Sequence, residues 1–232
     1  MIRKPSRGVS PNEFYLAACD RFINAITGTE GQAFREAFIP AAAILAESGA
    51  MVSLAQVILK ATSPGVPDFY QGSEAWDFSL VDPDNRRPVN FDLRRELLRA
   101  ASEKAPDALF RDWADGGIKL FVTRTLLQFR REFPGVFAQG NYRALEVEGR
   151  QKAIAFSRHD CAQGVTVVLP CRCRELSRRA GEGSFRATTV ALPPASRGWR
   201  DLFTGRVIPA GPRSSLFDLF AVLPFAVLEM NP

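Results

Sequence analysis

The sequence has 232 residues, of which 46% are hydrophobic and 24% are charged, a balance typical of a folded globular protein and not of a disordered one. Its formal net charge of +5 comes from arginines and lysines scattered along the chain, without the basic blocks and interleaved aromatic residues of a nucleic-acid groove. We therefore expect a solvated basic surface and no nucleic-acid partner.

The sequence offers few signals for a membrane, a disulfide framework or a metal. No apolar run approaches the about 20 residues of a membrane span, and no hydrophobic segment follows the basic residues near Met1. The expectation is a cytoplasmic protein without a membrane partner. Four cysteines and a single histidine, His159, supply a zinc site poorly, and no segment has the spacing of a calcium loop, so we predict free thiols and no metal.

The first half of the chain has helical patterns. Ser10-Pro11-Asn12-Glu13 offers an N-cap, a proline and an acid for a helix that ends at Gly28. Pro40 predicts a kink or break in the stretch that follows. Further helical stretches are predicted at residues 32–47, 50–62, 93–104 and 117–133, the last ending at Pro134-Gly135.

From Gly140 onward the apolar residues alternate with polar ones, as in strands that bury one face. The predicted strands are residues 142–147, 152–156, 165–169, 186–192, 199–203 and 220–228. Several short strands at such spacing favour an antiparallel β-sandwich. A domain boundary is therefore expected near residues 135–140.

Residues 63–92 interrupt these patterns. Ser63-Pro64-Gly65 ends a helix, and the apolar run from Val66 to Tyr70 predicts a short buried strand closed by Gly72. Residues 73–92 have no period and are rich in carboxylates, amides and arginines. Loops of this length inside a compact domain are usually functional.

The same residues resemble a known family. GVPDFYQGSE at residues 65–74 is similar to the Gly-x-Pro-x-x-Tyr-x-Gly-x-Glu pattern on the eighth barrel strand of the α-amylase family of glycoside hydrolases. More narrowly, LVDPDNRRPV at residues 80–89 resembles the maltooligosyltrehalose synthase family. NE at 12–13, SLAQ at 53–56, DGGIKL at 115–120 and WRDLFTG at 199–205 resemble the same family, so the likeness covers nearly the whole chain.

The resemblance implies a fold and an activity. Enzymes of that family convert the reducing end of a maltooligosaccharide into a trehalose unit, with catalytic carboxylates on barrel strands four, five and seven. Nothing in residues 1–62 resembles those strands. The implied fold is α/β plus all-β: the carboxy-terminal part of a (β/α)8 barrel at residues 1–137, followed by an antiparallel β-sandwich at residues 138–232. The chain would hold no catalytic residue, use no cofactor and be inactive by itself.

The polar residues after the eighth strand are the candidate site, because ligands in such barrels lie at the carboxyl ends of the strands. The candidate substrate-binding residues are Tyr70, Gln71, Glu74, Asp84, Asn85, Arg86 and Arg87. Direct contact with a sugar and indirect support of the site are equally open for each of them, since turn chemistry and ion pairs use the same residue types.

Two further expectations concern partners. The implied substrate is a maltooligosaccharide, and an incomplete barrel would leave apolar helix faces uncovered, so the piece is expected to self-associate. The alternative function is a non-catalytic carbohydrate-binding module. Its sandwich would need exposed aromatic residues, for which Tyr142 and Trp199 are the chief candidates.

Overall fold

A computed structural model of the protein describes residues 12–79, 84–160, 163–171 and 185–230. The chain divides into two compact units, Met1–Gly49 and Ala50–Pro232. The predicted boundary near residue 137 follows a different criterion, the change from helices to strands, and stays a prediction. Ser10, Pro11, Asp82, Pro83, Cys161 and Cys173 lie outside the described residues.

The described part of the first unit contains helix α1 (Glu13–Thr27), which ends before Gly28 as predicted. The cap is Asn12: its side chain accepts hydrogen bonds from the backbone N–H groups of Phe14 and Tyr15, both at 3.1 Å. The prediction that Ser10 caps this helix is wrong, because the helix starts two residues later than that pattern suggested. A short 3-10 helix, Thr29–Gly31, follows α1.

Helix α2 runs without interruption over Gln32–Thr62. The prediction of two helices, with a kink or break at Pro40, is therefore corrected to a single helix that contains the proline. Three alanines directly after Pro40 have the highest helix propensity of any residue, which favours continuation despite the missing N–H.

The apolar character of this region was also underestimated. By length and composition, the helical segment Thr29–Thr62 could cross a membrane, which contradicts the expectation that no apolar run approaches such a length. The expectation was wrong because Glu47 is the only charged residue between Ala37 and Leu59. The end of α2, however, buries Leu54 and Ile58 completely in the protein core.

The second unit contains the helices α3 (Phe91–Glu103), α4 (Pro106–Arg111), α5 (Gly117–Glu132) and α6 (Pro134–Ala138), with short 3-10 helices at Asp84–Arg86 and Trp113–Asp115. Two of them, α3 and α5, lie close to the stretches predicted at residues 93–104 and 117–133, and the shorter helices were not predicted. Pro134 does more than end α5: it opens α6, where its fixed φ suits the first helical position.

The described strands form two antiparallel sheets. They are β1 (Asn141–Ala144), β2 (Val147–Glu148), β3 (Ala153–His159), β4 (Gly164–Pro170), β5 (Thr189–Ala191), β6 (Trp199–Asp201), β7 (Val207–Ile208), β8 (Arg213–Ser215) and β9 (Ala226–Met230). The larger sheet has the order β1-β3-β4-β9-β6-β7, and the smaller one has the order β2-β5-β8. Helix α7 (Leu216–Leu219) separates β8 from β9.

Two strand predictions need correction, and two further strands were not predicted. The predicted strand 142–147 divides between the two sheets, as β1 and β2. Only residues from Ala226 onward belong to the last strand, because the chain from Phe220 to Phe225 forms turns. The strands β7 and β8 were not predicted, since two or three residues are too few to show alternation.

Strand β4 joins two hydrophobic cores. Its residues Val165 and Val167 pack with helix α5, for example with Ile118 and Val122, in one buried cluster. Val168 points to the other face and packs in a second cluster with Val190 of the smaller sheet. The larger sheet thus has helices on one face and the smaller sheet on the other.

The run Val66–Tyr70 differs from the prediction of a buried strand. It has no regular secondary structure, it pairs with no strand among the described residues, and Val66 is 97% exposed. A strand is buried only when neighbouring strands bond to its backbone and covering helices pack against its side chains. The described part of the chain does not provide those neighbours.

The turn after β6 depends on a buried carboxylate. Oδ1 of Asp201 accepts hydrogen bonds from the backbone N–H groups of Phe203 (3.1 Å) and Thr204 (2.8 Å) and from the Thr204 hydroxyl (2.8 Å). Burial raises the pKa of Asp201, although these hydrogen bonds act in the opposite direction. The folded chain therefore binds the Asp201 proton more tightly than the unfolded chain does.

This predicts a pH dependence that Asp201→Asn should remove. The free energy of unfolding of the wild-type chain, relative to that of Asp201→Asn, should fall as the pH rises from the ordinary value of 3.8 through the raised pKa of Asp201. Urea denaturation at several pH values from about 4 to 7 measures the difference. Asp218→Asn, at an exposed carboxylate, is the control, and a difference that grows with pH would contradict the prediction.

Candidate functional site

The candidate site centres on the irregular segment that follows α2. At its turn, the carbonyl oxygen of Tyr70 accepts hydrogen bonds from the backbone N–H (3.1 Å) and hydroxyl (2.6 Å) of Ser73. Gly72 has a φ of +93°, a conformation that other residues adopt only with strain. Tyr70 is 45% exposed and Gln71 is also exposed, so the tip of this turn faces out of the described structure.

Two arginines hold the beginning of the segment. Nη1 of Arg130, on α5, donates to the carbonyl oxygen of Ala61 at 2.7 Å, and Nη1 of Arg158, on β3, donates to that of Ser63 at 3.5 Å. Both carbonyls lie at the carboxyl end of α2, where backbone acceptors lack helical partners and cations are favoured. Both guanidinium groups also lie over the ring of Phe137, at 4.5 and 5.8 Å from its centroid.

These arginines are partly withdrawn from water. Burial lowers the pKa of Arg130 and Arg158, although arginine remains charged at any working pH. Arg158 is 3% exposed, and its Nη2 also donates to the carbonyls of Phe137 (3.0 Å) and Gly140 (3.2 Å). It therefore links the larger sheet, the end of α6 and the start of the segment.

A buried lysine holds the chain directly after this turn. Nζ of Lys119, on α5, donates to the carbonyl oxygen of Ala75 at 3.1 Å, and the residue is only 8% exposed. Burial, followed by repulsion from Lys60, lowers the pKa of Lys119. The next side chain, Trp76, donates through Nε1 to the carbonyl of Trp113 at 2.7 Å and meets the Trp113 ring edge-on.

The turn at Gly72 is enclosed by an ion pair. Oε2 of Glu74 accepts from the backbone N–H of Gly72 (3.0 Å) and from Nε of Arg94 (3.2 Å), and Nη2 of Arg94 donates to the carbonyl of Gly72 (2.8 Å). The side chains of Arg94 and Glu74 are 19% and 30% exposed. Both backbone groups of Gly72 are therefore satisfied by this one pair.

Four cationic side chains thus bind backbone carbonyls between residues 61 and 75. We call them the cationic clamp, and its members are Arg94, Lys119, Arg130 and Arg158. They come from α3, α5 and β3, which pack around the hydrophobic cores described above. The clamp therefore holds this segment in place against the packed helices and strands, although the segment itself forms no strand hydrogen bonds.

The structure separates the predicted site residues into groups. Tyr70 and Gln71 are exposed at the turn, whereas Glu74 is half-buried and bonds to Gly72 and Arg94. The others occupy the short helix Asp84–Arg86 and the residue after it. Asn85 is half-buried, Arg86 and Arg87 are exposed, and the side chain of Asp84 lies outside the described structure.

The Oδ1 atom of Asn85 is buried and has no hydrogen-bond partner among the described groups. A buried amide oxygen without a partner is costly and marks a place where a donor is missing.

Sequence reasoning missed the whole cationic clamp. A signal existed for two of its members: Lys119 lies between Ile118 and Leu120 on a buried helix face, and the alternation of β3 puts Arg158 on the same face as buried Phe156. Where the period of a helix or strand predicts a buried apolar residue, a cation at that position needs a specific partner. Arg94 and Arg130 had no comparable signal, since arginines are common on exposed helix faces.

The described residues contain no group of three or more His, Cys, Asp or Glu side chains placed to hold a metal ion. Cys19 and Cys171 have free thiols.

Comparison with known proteins identifies a set of relatives. The chain is 36% identical over 178 residues to a maltooligosyl trehalose synthase of Mycobacterium tuberculosis, in each of two strains, and the match covers 76% of this chain. It covers only 20% of the relative, so the chain spans about a fifth of the length of the curated relatives it matches. No family model matches the sequence.

Solved structures of similar name resemble the chain over nearly its whole length. A variant of maltooligosyltrehalose synthase from Arthrobacter ramosus is 29% identical, with a TM-score of 0.77 over 97% of this chain and 28% of that one. A second maltooligosyl trehalose synthase is 25% identical, with a TM-score of 0.69 over 96% of this chain and 27% of that one. A glycosyltrehalose synthase is 29% identical, with a TM-score of 0.68 over 96% of this chain and 26% of that one.

The contact of Lys119 with Ala75 can be tested by substitution. We expect Lys119→Met to lower the free energy of unfolding by about 1–3 kcal/mol, because the buried carbonyl of Ala75 loses its donor. Backbone hydrogen exchange should also become faster in residues 72–77. Urea denaturation and exchange measured by mass spectrometry check the two effects.

Lys104→Met is the matched control for this experiment. Lys104 pairs with Asp112 at 3.2 Å, but the two side chains are 40% and 53% exposed, and exposed pairs contribute only about 0–1 kcal/mol. Unchanged exchange in residues 72–77 of Lys119→Met would contradict the assigned contact.

Proposed function

Because this chain belongs to the maltooligosyltrehalose synthase family, we propose that it is the carboxy-terminal part of an enzyme that rearranges the reducing end of maltooligosaccharides. The reaction would convert the terminal α-1,4 linkage into an α,α-1,1 linkage and so contribute to trehalose biosynthesis. The observation that carries the proposal is the 36% identity to relatives of that name over 178 residues. The alternative, a separate carbohydrate-binding module, finds no comparable support: of its two chief candidates Trp199 is only 2% exposed, and Tyr142, although 53% exposed, stacks on Phe156.

The proposed architecture is the end of a (β/α)8 barrel at residues 1–137 and a β-sandwich at residues 138–232. Several features support it. The apolar run Val66–Tyr70 lies between helices α2 and α3, as a barrel strand would. The two antiparallel sheets share a buried cluster around Val168 and Val190, as the layers of a sandwich would.

The remaining barrel strands would then come from polypeptide outside this chain. Exposed apolar residues in the first unit, such as Phe14 (90% exposed) and Leu45 (70% exposed), support the proposal that further structure covers these helices in the complete protein. In the isolated chain the same surfaces would favour self-association.

The chemistry requires groups that we do not assign to this chain. Retention at a glycosidic bond uses two carboxyl groups about 5 Å apart, one that attacks the anomeric carbon and one that protonates the leaving oxygen. The 1-hydroxyl of the released glucose must then attack the glycosyl-enzyme before a water molecule does. The enzyme therefore needs a reducing-end pocket that binds free glucose through several hydroxyls and excludes water.

We assign part of that pocket to the candidate residues between Tyr70 and Arg87. Tyr70 would offer its ring to a pyranose, and Gln71, Asp84, Asn85, Arg86 and Arg87 would bind hydroxyls through groups that can engage two at once. Glu74 has a different role in the proposal: its bonds to Gly72 and Arg94 make it a brace of the turn.

No cofactor or metal is required by this chemistry. We propose a cytoplasmic location, as expected for an enzyme acting on intracellular glucans, and treat α2 as a barrel helix. The complete burial of Leu54 and Ile58 within the protein supports that role over a membrane span.

The function can be tested with maltopentaose and an assay for reducing ends. The complete enzyme containing this chain should consume reducing ends without releasing an equivalent amount of glucose, because the new linkage is non-reducing. The isolated chain should show no turnover, since the attacking and protonating groups would be absent. Turnover by the isolated chain, or simple hydrolysis by the complete enzyme, would contradict the proposal.

A further inference from the structure

Arg94 connects the two ends of the polar segment, by which we mean residues 73–89. Its Nη2 donates to the carbonyl of Gly72 at 2.8 Å, where residues 73–89 leave the turn. Its Nη1 donates to the carbonyl of Asn90 at 3.2 Å, where those residues return to the start of α3. Asn90 is also the cap of α3, since its side chain accepts from the backbone N–H of Leu93 at 3.0 Å. One guanidinium group therefore bonds both ends of residues 73–89.

Packing shows independently that these ends meet. A Cβ atom added to Gly72 would lie 3.3 Å from Cγ2 of Val89 and 3.6 Å from Nη2 of Arg94. Glycine at position 72 thus lets the outgoing and returning chains approach closely, with Arg94 alongside. The third bond of Arg94, from Nε to Glu74, fixes the plane of the guanidinium group.

We propose that Arg94 is a positioning residue of the sugar pocket: by joining Gly72 to Asn90, it holds Asn85, Arg86 and Arg87 where a reducing-end glucose binds. The inference rests on the function proposed above and deepens it. Arg94 is 19% exposed, and its described donors are engaged by the protein, so it acts through these residues rather than by touching the sugar.

The consequence concerns the fate of the covalent intermediate. The bond between the enzyme carboxylate and the anomeric carbon breaks when an oxygen attacks that carbon, and the oxygen loses its proton to the acid/base carboxylate. The attacking oxygen belongs either to the retained glucose or to water. A loosened segment would release glucose sooner, so a larger share of turnovers would end in hydrolysis.

The experiment compares three variants of the complete enzyme. Arg94→Ala removes all the bonds, and Arg94→Lys keeps the charge but cannot bond both carbonyls through a planar fork. Arg95→Ala is the matched control: Arg95 is the next residue of α3, its side chain is 75% exposed, and it pairs only with exposed Asp92 among the described residues. The readouts are the ratio of glucose to trehalose-linked product, kcat and KM for maltopentaose, and hydrogen exchange in residues 84–89.

For Arg94→Ala we expect the ratio of hydrolysis to isomerisation to rise about tenfold, as the loss of charged hydrogen bonds would permit. Exchange in residues 84–89 should become faster, Arg94→Lys should lie between Arg94→Ala and wild type, and Arg95→Ala should equal wild type. A purely structural role would reduce the amount of folded enzyme, seen by circular dichroism, without changing the ratio of products.

The outcomes separate this inference from the proposed function. If wild-type enzyme forms no trehalose linkage, the proposed function fails. If wild type forms the linkage and folded Arg94→Ala has the product ratio of Arg95→Ala, the positioning role is refuted. If Arg94→Ala does not fold, Arg94→Lys decides, and a wild-type ratio with wild-type exchange in that variant would also refute it.

Discussion

The structure of the candidate site depends on cations that bond backbone carbonyls in an environment with little water. The segment from Ala61 to Ala75 leaves a helix, turns at Gly72 and has no strand partner among the described residues. A buried carbonyl without a donor costs about 1–3 kcal/mol. The cationic clamp supplies those donors from α3, α5 and β3, so the packed core determines where the turn lies.

The elements that the sequence predicted well are those whose pattern repeats over several turns or residue pairs. Helix α5 and strands β3 and β4 have long apolar periods and lie where these periods indicated. The kink or break predicted at Pro40 was wrong, because the missing backbone N–H of one proline is a local cost and the flanking residues favour a helix. The buried strand at Val66–Tyr70 was also not found, since burial depends on neighbours and no local pattern supplies them.

The location of the candidate site stays a prediction, and the sequence alone could not assign a role to each of its residues. The polar motif indicated a functional turn, yet Glu74 and Asn85 have the same chemical capacity to bind a sugar or a protein group. Only the geometry shows Glu74 bonded to Gly72 and Arg94, and Asn85 with a buried oxygen that lacks a partner. Arg94 and Arg130 escaped prediction because their partners are backbone carbonyls, which residue types do not reveal, whereas Lys119 and Arg158 occupy positions where the pattern calls for an apolar residue.

The most direct measurement is a crystal structure of the complete enzyme with glucose bound at the reducing-end position. The account predicts that the clamp bonds to Ala61, Ser63, Gly72 and Ala75 persist and that Tyr70 and Asn85 contact the sugar. It would be contradicted by a turn that points away from the bound glucose, or by a sugar-bound segment in which the clamp residues bond elsewhere.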